Sequence, residues 1–266
     1  MPTRRTWQCK TRHPKSQFSV KVGSIYEDSA IGLDKWLTAT WMIVSCKSGI
    51  SSYEIARSIG VTQKTAWFML HRIRLAMTEE GDEQLGGGRL VEIDETFVGG
   101  KVKNMHKAKR PKGVGLQGGH GKAIVMGMLE RGGKVRARSI SSGHKQNMQP
   151  TILANVAAGA HIVTDEWTTY PFIARNTFHH VVINHVTGYV NGHIHTNGIE
   201  NFWSLLKRGL SGTYISVRPV HLDKHVTEQV FRYNNRKEIG DGGRFNLCVV
   251  QSFGKRLTYK VLTGKA

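Results

Sequence analysis

At residues 79–88 the chain reads EEGDEQLGGG, and the hydrophobic period changes there. The stretch holds four of the nineteen acids and three consecutive glycines, the composition of a solvated linker. Before it, apolar residues recur at helical spacing. After it, strand-like and helical patterns alternate, as in an α/β layer structure. The expected organisation is a helical region over 1–78, a linker over 79–89 and a larger α/β domain over 90–266. No internal repeat is visible.

Charge narrows the partners. The 266 residues carry 38 Lys+Arg against 19 Asp+Glu, a formal charge of +19, with 39% hydrophobic residues. That composition is globular, and the excess of base makes a polyanion, above all nucleic acid, the expected partner. No apolar run reaches the ~18–20 residues of a membrane span, and Arg4 and Arg5 lead into polar sequence. Cys9, Cys46 and Cys248 lie too far apart for a disulfide framework or a zinc tetrad. A soluble cytoplasmic protein is expected.

In the first region, Leu33 to Val44 is apolar and helical. Ser51-Ser52 caps a short helix, Tyr53 to Ile59, that stops at Gly60. Thr62 caps a third, in which Ala66, Leu70, Ile73 and Met77 fall on one face. Helix, glycine turn and helix make a helix-turn-helix. Its second helix offers Gln63, Lys64 and Thr65 to base edges, and Arg72 and Arg74 to phosphates; the competing reading is a plain three-helix packing unit. Ahead of it, Cys9 has no second sulfur where a ribbon needs a Cys-x-x-Cys pair, so no zinc is expected.

The second region opens with RLVEIDETFVGG, a strand with Asp94 and Glu95 near its middle. Lys101 to Lys122 has seven Lys/Arg, five Gly and no acid. It suits a phosphate-clamping loop through Lys101, Lys103, Lys107, Lys109, Arg110 and Lys112. A hairpin follows (Ala123–Leu129, Lys134–Ile140), then a helix near Met148–Ala157, a short strand His161–Thr164 ending at Asp165, a strand Val181–Ile183 and a helix Asn197–Arg208. Only eleven acids lie beyond the linker, and three are placed for chemistry: Asp94 in a strand, Asp165 at a strand's C-terminal end and Glu200 flanking a helix's apolar stripe. Lys207, two helical turns after Glu200, shares its face. Three such carboxylates suit two Mg²⁺ or Mn²⁺ ions about 3.5–4 Å apart, the pair that drives in-line attack on a phosphodiester. Taken singly, each acid also has a structural reading, as strand-edge residue, helix cap or surface ion partner.

VEIDETFVGGK, VTDEWTTY, HTNGIENFWSLLKRGLSGTY and FRYNNR resemble the DDE transposases of bacterial insertion sequences, in the insertion sequence 1595 (ISXO-like) branch. SSYEIARSIGVTQKTAWFMLHRIRLAM resembles that branch's helix-turn-helix segment. The resemblance implies an RNase H-like catalytic domain, a mixed sheet flanked by helices, preceded by the small helix-turn-helix domain. It implies Asp94, Asp165 and Glu200 as metal ligands and Lys207 as a DNA contact near the cleaved end. Asn197 is a second candidate for the third position, since some relatives use Asn. Trp203 has two readings, a stack on a base or sugar at the element's end, or core packing. The activity it implies is metal-dependent strand cleavage and 3′-OH strand transfer on terminal inverted repeats and target DNA, by a homodimer or larger assembly associated with the bacterial nucleoid. The alternatives are a non-catalytic or decayed DNA binder, or a general RNase H-like nuclease.

One departure is plain. Relatives commonly begin with a zinc ribbon of two cysteine pairs, of which Cys9 is the remnant here; this bears on end recognition more than on catalysis. His179, His180, His185, His193 and His195 crowd seventeen residues, but their spacing is irregular and no cysteine joins them. His195, just ahead of the Glu200 helix, is expected at the active-site mouth. Cys46 and Cys248 read as core residues.

Overall fold

The computed structural model describes residues 6–11, 16–79, 81, 83–100, 104, 106–109, 121–165, 177–182 and 195–264. In chain order the elements are β1 (Trp7–Gln8), β2 (Gln17–Phe18), α1 (Leu33–Ser45), α2 (Ser52–Ile59), α3 (Gln63–Ala76), β3 (Val91–Val98), β4 (Ala123–Glu130), β5 (Val135–Ile140), α4 (Lys145–Asn155), β6 (His161–Thr164), β7 (His179–Val182), α5 (Asn197–Gly212), α6 (Pro219–Asn234), α7 (Asp241–Val250) and α8 (Tyr259–Thr263). They form two compact units. One joins residues 1–78 to 235–266; the other is 79–234.

The first unit is built on local signals that the sequence displays. Ser51 and Glu54 form a reciprocal capping box at the start of α2. Gly60, at φ +62°, ends α2 in the left-handed region, and the Thr62 hydroxyl caps α3 by accepting from the Thr65 N–H. Ala66, Leu70, Ile73 and Met77 are all buried, as their spacing requires. The C-terminal segment differs from expectation, for residues 235–266 pack here and not with the sheet. Phe253 and Ser24 bridge, the Ile25 N–H donates to the Ser252 carbonyl, and Arg244 reaches the Val44 carbonyl. Lys255 Nζ donates to the Thr78 carbonyl at 2.7 Å, just beyond α3.

The second unit is a five-stranded mixed sheet in the order β5-β4-β3-β6-β7. β3, β4 and β5 are antiparallel neighbours, whereas β6 runs parallel to both β3 and β7. Helices cover both faces, consistent with the RNase H-like arrangement expected. Strand alternation sorts the residues. Val91, Ile93, Met126, Met128 and Ile162 meet Met148 and Ile152 of α4. Val125, Leu129 and Val135 meet Ile199, Phe202, Trp203 and Leu206 of α5 and Leu222 and Val226 of α6.

The peptide FRYNNR turns out to fasten this unit. Asn234, in FRYNNR, accepts from the Val135 N–H and donates to the Val135 carbonyl, so α6 supplies both bonds that a neighbouring strand would give β5 there. Arg232 of the same peptide pairs with buried Glu228, which also accepts from the Tyr214 hydroxyl. The expected linker also differs. Leu85 is buried, exchanges backbone hydrogen bonds with Asn155 and Ala157, and joins the core around α4. An apolar residue inside an acidic, glycine-rich run is enough to tie that run to the sheet.

Candidate active site

Asp94 and Asp165 meet because of register. β6 runs parallel to β3 with Glu92 opposite Val163, so continuing both strands by two residues brings Asp165 level with Asp94. β6 stops at Thr164, and among the described residues no strand pairs with the far half of β3 on that side. Carboxylate oxygens of Asp94, Asp165 and Glu95 all lie within 4.8 Å of one another. Glu95 is an addition to the expected set. Glu200 lies outside this group, although its charge acts on Asp94; its Oε1 accepts from the Thr196 hydroxyl at 3.0 Å. Asn197, Glu200 and Lys207 are all exposed on α5.

Burial first, and then the charges of Asp165 and Glu200, raise the Asp94 carboxyl against the pull of the Trp203 indole N–H and the Glu95 N–H, and it is left at about 6. Several carboxylates drawn together in a protein of charge +19 make a place where a cation is favoured. Among the described residues the donor set is oxygen alone, with no imidazole or thiolate in the group. It fits a hard divalent ion such as Mg²⁺ or Mn²⁺.

Helix α5 is fixed to β3 at two points, one at Asp94 itself and one at Glu92. Trp203 Nε1 donates to Asp94 Oδ2 at 2.8 Å. Gly127, opposite Asp94 on β4, makes room for that indole, since a Cβ there would lie 2.6 Å from it. Trp203 is therefore a buried support of Asp94, which corrects its reading as a stacking surface for DNA. The second point is Glu92, fully buried and on the same strand face as Asp94. Its Oε2 accepts from the Ile199 N–H at 2.9 Å, in the first turn of α5, and its Oε1 accepts from Arg131 Nε and Nη2 at 3.1 and 3.0 Å. Arg131 Nη2 also donates to the His195 carbonyl at 2.7 Å. Gly198 fits the arrangement, because a Cβ there would sit 2.7 Å from Glu92 Oε2.

Glu92 and Arg131 were not singled out by motif or spacing. The available signal was strand alternation, which puts Glu92 on the Asp94 face and so into a covered layer. On β7, His180 Nε2 lies 2.8 Å from the Thr164 hydroxyl, which pins the strand end before Asp165. Burial lowers the His180 pKa, favouring neutral imidazole.

The remaining expected residues fall as follows. In α3, Lys64 is exposed, Thr65 belongs to the cap, and Gln63 donates to the Ser52 hydroxyl. Arg72 and Arg74 are buried, which corrects their assignment to phosphates. The Arg72 guanidinium lies over Trp36 and Phe68 and donates to the Glu27 carbonyl, so it serves as packing. Lys107 is exposed and Lys109 lies in the same short 3₁₀ turn. Lys101, Lys103, Arg110, Lys112, His185 and His193 lie outside the described residues. Cys248 is buried, and burial pushes its thiol up to about 12, whereas Cys46 is only half-buried. Among the described residues no helix is long and apolar enough to cross a membrane.

The chain is 26% identical over 203 residues to a Halobacterium salinarum protein described as an uncharacterized protein in transposable element ISH50, covering 73% of this chain and 67% of that one. It is 28% identical over 102 residues to an uncharacterized transposase-like protein of Haemophilus influenzae, covering 38% of this chain and 82% of the relative. The profile of the ISXO2-like transposase domain matches residues 84–234, almost the whole sheet-bearing unit. That match spans more than half of the sequence, and the chain belongs to the ISXO2-like transposase family.

Proposed function

We propose that the protein is the DNA transposase of an insertion sequence, with an RNase H-like catalytic unit that cleaves DNA at the element's ends and joins the freed 3′-OH to target DNA. The observation that carries this reading is the convergence of Asp94 and Asp165 from adjacent parallel strands, with Glu95 beside them. Asp94, Asp165 and Glu95 would hold divalent metal, with Glu200 on α5 as the further carboxylate. Bound Mg²⁺ or Mn²⁺ supplies charge stabilisation to the phosphate and favours deprotonation of the attacking hydroxyl or water.

The chain's own residues do the rest. Trp203 keeps Asp94 aimed and favours its ionised form through the indole N–H. Glu92 and Arg131 set the first turn of α5, and hence Glu200, against β3. Lys207 and the His195 region lie on or just before the same helix, where a cation meets the phosphates of a seated strand. No side chain is a covalent nucleophile in this scheme.

The first unit is proposed to grip the ends as a helix-turn-helix, α2 and α3 with Gln63, Lys64 and Thr65 leading. It carries 19 Lys/Arg against 6 Asp/Glu, a net of +13. The basic segment Lys101–Lys122 is proposed to hold target or flanking DNA on its charge. Two ends must be processed together, so the working assembly is a dimer or larger.

The test is nicking of duplex DNA carrying the repeats that flank the gene, in Mg²⁺ or Mn²⁺, by wild type and Asp94→Asn. Nicks at the repeat ends from wild type alone are expected. Equal cutting by the variant would remove this site from the mechanism. Binding without cutting by either protein would favour a non-catalytic binder.

A further inference from the structure

The C-terminal segment folds beside α3, and its placement gives the first unit a surface that the helix-turn-helix reading does not contain. Lys255 reaches the carbonyls of Ala76 and Thr78 at the C-terminal end of α3. Four residues later Tyr259 stands against the N-terminal half of the same helix. Its ring meets Phe68 edge-on at 5.6 Å, and Lys64 Nζ lies 5.1 Å from its centroid. The segment therefore runs along α3 from end to start. Thr258 caps α8 by accepting from the Val261 N–H, and Leu262 is buried, which fixes the short helix in place.

Thr258, Tyr259, Lys260 and Val261 remain outward, with the Tyr259 ring against the exposed Lys64. Residues 251–266 contain Lys255, Arg256, Lys260 and Lys265 and no acid. Arg256 is spent on Glu27 and Asp28, whereas Lys260 points to solvent. An aromatic ring holding one lysine, with a second lysine beside it and no carboxylate in the segment, suits a sugar–phosphate backbone.

We propose that α8 is part of the DNA-binding surface. On this account Lys64, which the helix-turn-helix reading offers to base edges, instead grips the phosphate backbone of double-helical DNA together with Tyr259 and Lys260, so end binding draws on two distant stretches of the sequence. This rests on the reading that the first unit binds DNA. Tyr259 acts by steadying Lys64, and Lys260 adds a phosphate contact of its own. The ring and the lysines touch backbone and not base edges, so they add affinity that is largely indifferent to sequence.

The experiment measures the affinity of the full chain for a duplex bearing the flanking repeats, and for an unrelated duplex, across a salt series. Lys64→Ala, Lys260→Ala, Lys260→Arg and Tyr259→Ala are compared with wild type, with thermal melts as a fold check. A lost phosphate contact lowers the log–log salt slope by about 0.9, which at 0.1 M salt is about eightfold in affinity. Lys260→Ala is expected to show that loss on both duplexes, with Lys260→Arg close to wild type. If Lys64→Ala weakens binding while Lys260→Ala and Tyr259→Ala leave affinity and slope unchanged, the C-terminal contribution is overturned and the helix-turn-helix reading stands. If no variant matters, DNA binding by this unit is itself wrong. Tighter binding by Tyr259→Ala would make α8 a cover over α3, and a changed oligomeric state with an unchanged slope would make it a contact between copies; either result overturns the proposal.

Discussion

Glu92→Gln tests whether helix α5, which carries Glu200, is held by one buried charge. The carboxylate accepts three hydrogen bonds, two from Arg131 and one from the Ile199 N–H. A glutamine has nearly the same volume, but its amide offers one oxygen. If that oxygen stays on Ile199, an N–H₂ group faces a guanidinium and both charged bonds are lost. Breaking a buried ion pair from one side costs about 3–5 kcal/mol. The Arg131 side chain keeps 29% of its surface in water, so part of its hydration returns and the expected cost falls to about 2–3 kcal/mol. For the 156-residue unit spanning 79–234, that is a drop of about 4–12 °C in its thermal midpoint. Activity is expected to fall further than stability, because a shift of about 1 Å in a catalytic group can cost roughly a hundredfold in rate. The assay pairs calorimetry with repeat-end nicking and DNA affinity, for Glu92→Gln, Arg131→Met and the double variant. The double variant should lose less than the two singles added together, by about 1–3 kcal/mol. Strict additivity, or a Glu92→Gln protein that melts and nicks like wild type, would refute the reasoning.

Three further outcomes follow from the same geometry. Gly127→Ala puts a Cβ 2.6 Å from the Trp203 ring, so it should cost about 1–3 kcal/mol and weaken nicking while DNA affinity holds; an unchanged melt would show that the indole has room to move. In metal-free protein Asp94 titrates near 6, above its unfolded value, so its contribution to stability is full below about pH 4 and is lost as pH rises through 6. Divalent metal competes with that proton, so the rise in melting temperature on adding Mg²⁺ should be larger at pH 7.5 than at pH 5, and Trp203→Phe should move the crossover upward; equal shifts at both pH values would contradict this. Arg72→Ala should destabilise the first unit by about 2–3 kcal/mol through lost packing and an orphaned Glu27 carbonyl, with the salt slope of DNA binding unchanged; a slope reduced by one contact would return Arg72 to the phosphates.

Much of this architecture is legible in the sequence where its cause is local. Ser51, Gly60 and Thr62 mark helix ends because capping is a contact of a few residues, and the α3 stripe is periodic because one face is buried. Asp94 and Asp165 stand out because acids are costly inside apolar strands. The unread parts depend on distant partners. Glu92 looks like any strand acid until Arg131, thirty-nine residues away in the β4–β5 turn, is placed against it. Arg72 reads as a phosphate contact from its charge, yet Trp36, Phe68 and Glu27 enclose it. Helix α7 begins with DGG, a weak helical signal, and nothing local in residues 235–266 says that they return to the first unit.

The most direct measurement is the joining of a labelled, pre-cut element end to a plasmid in Mg²⁺, by wild type, Asp94→Asn and Asp165→Asn, with end binding measured in parallel. The account predicts covalent joining through the 3′-OH by wild type only, dependent on the divalent ion, with comparable binding by all three proteins. Joining by either variant, or joining by wild type in chelator, would contradict it.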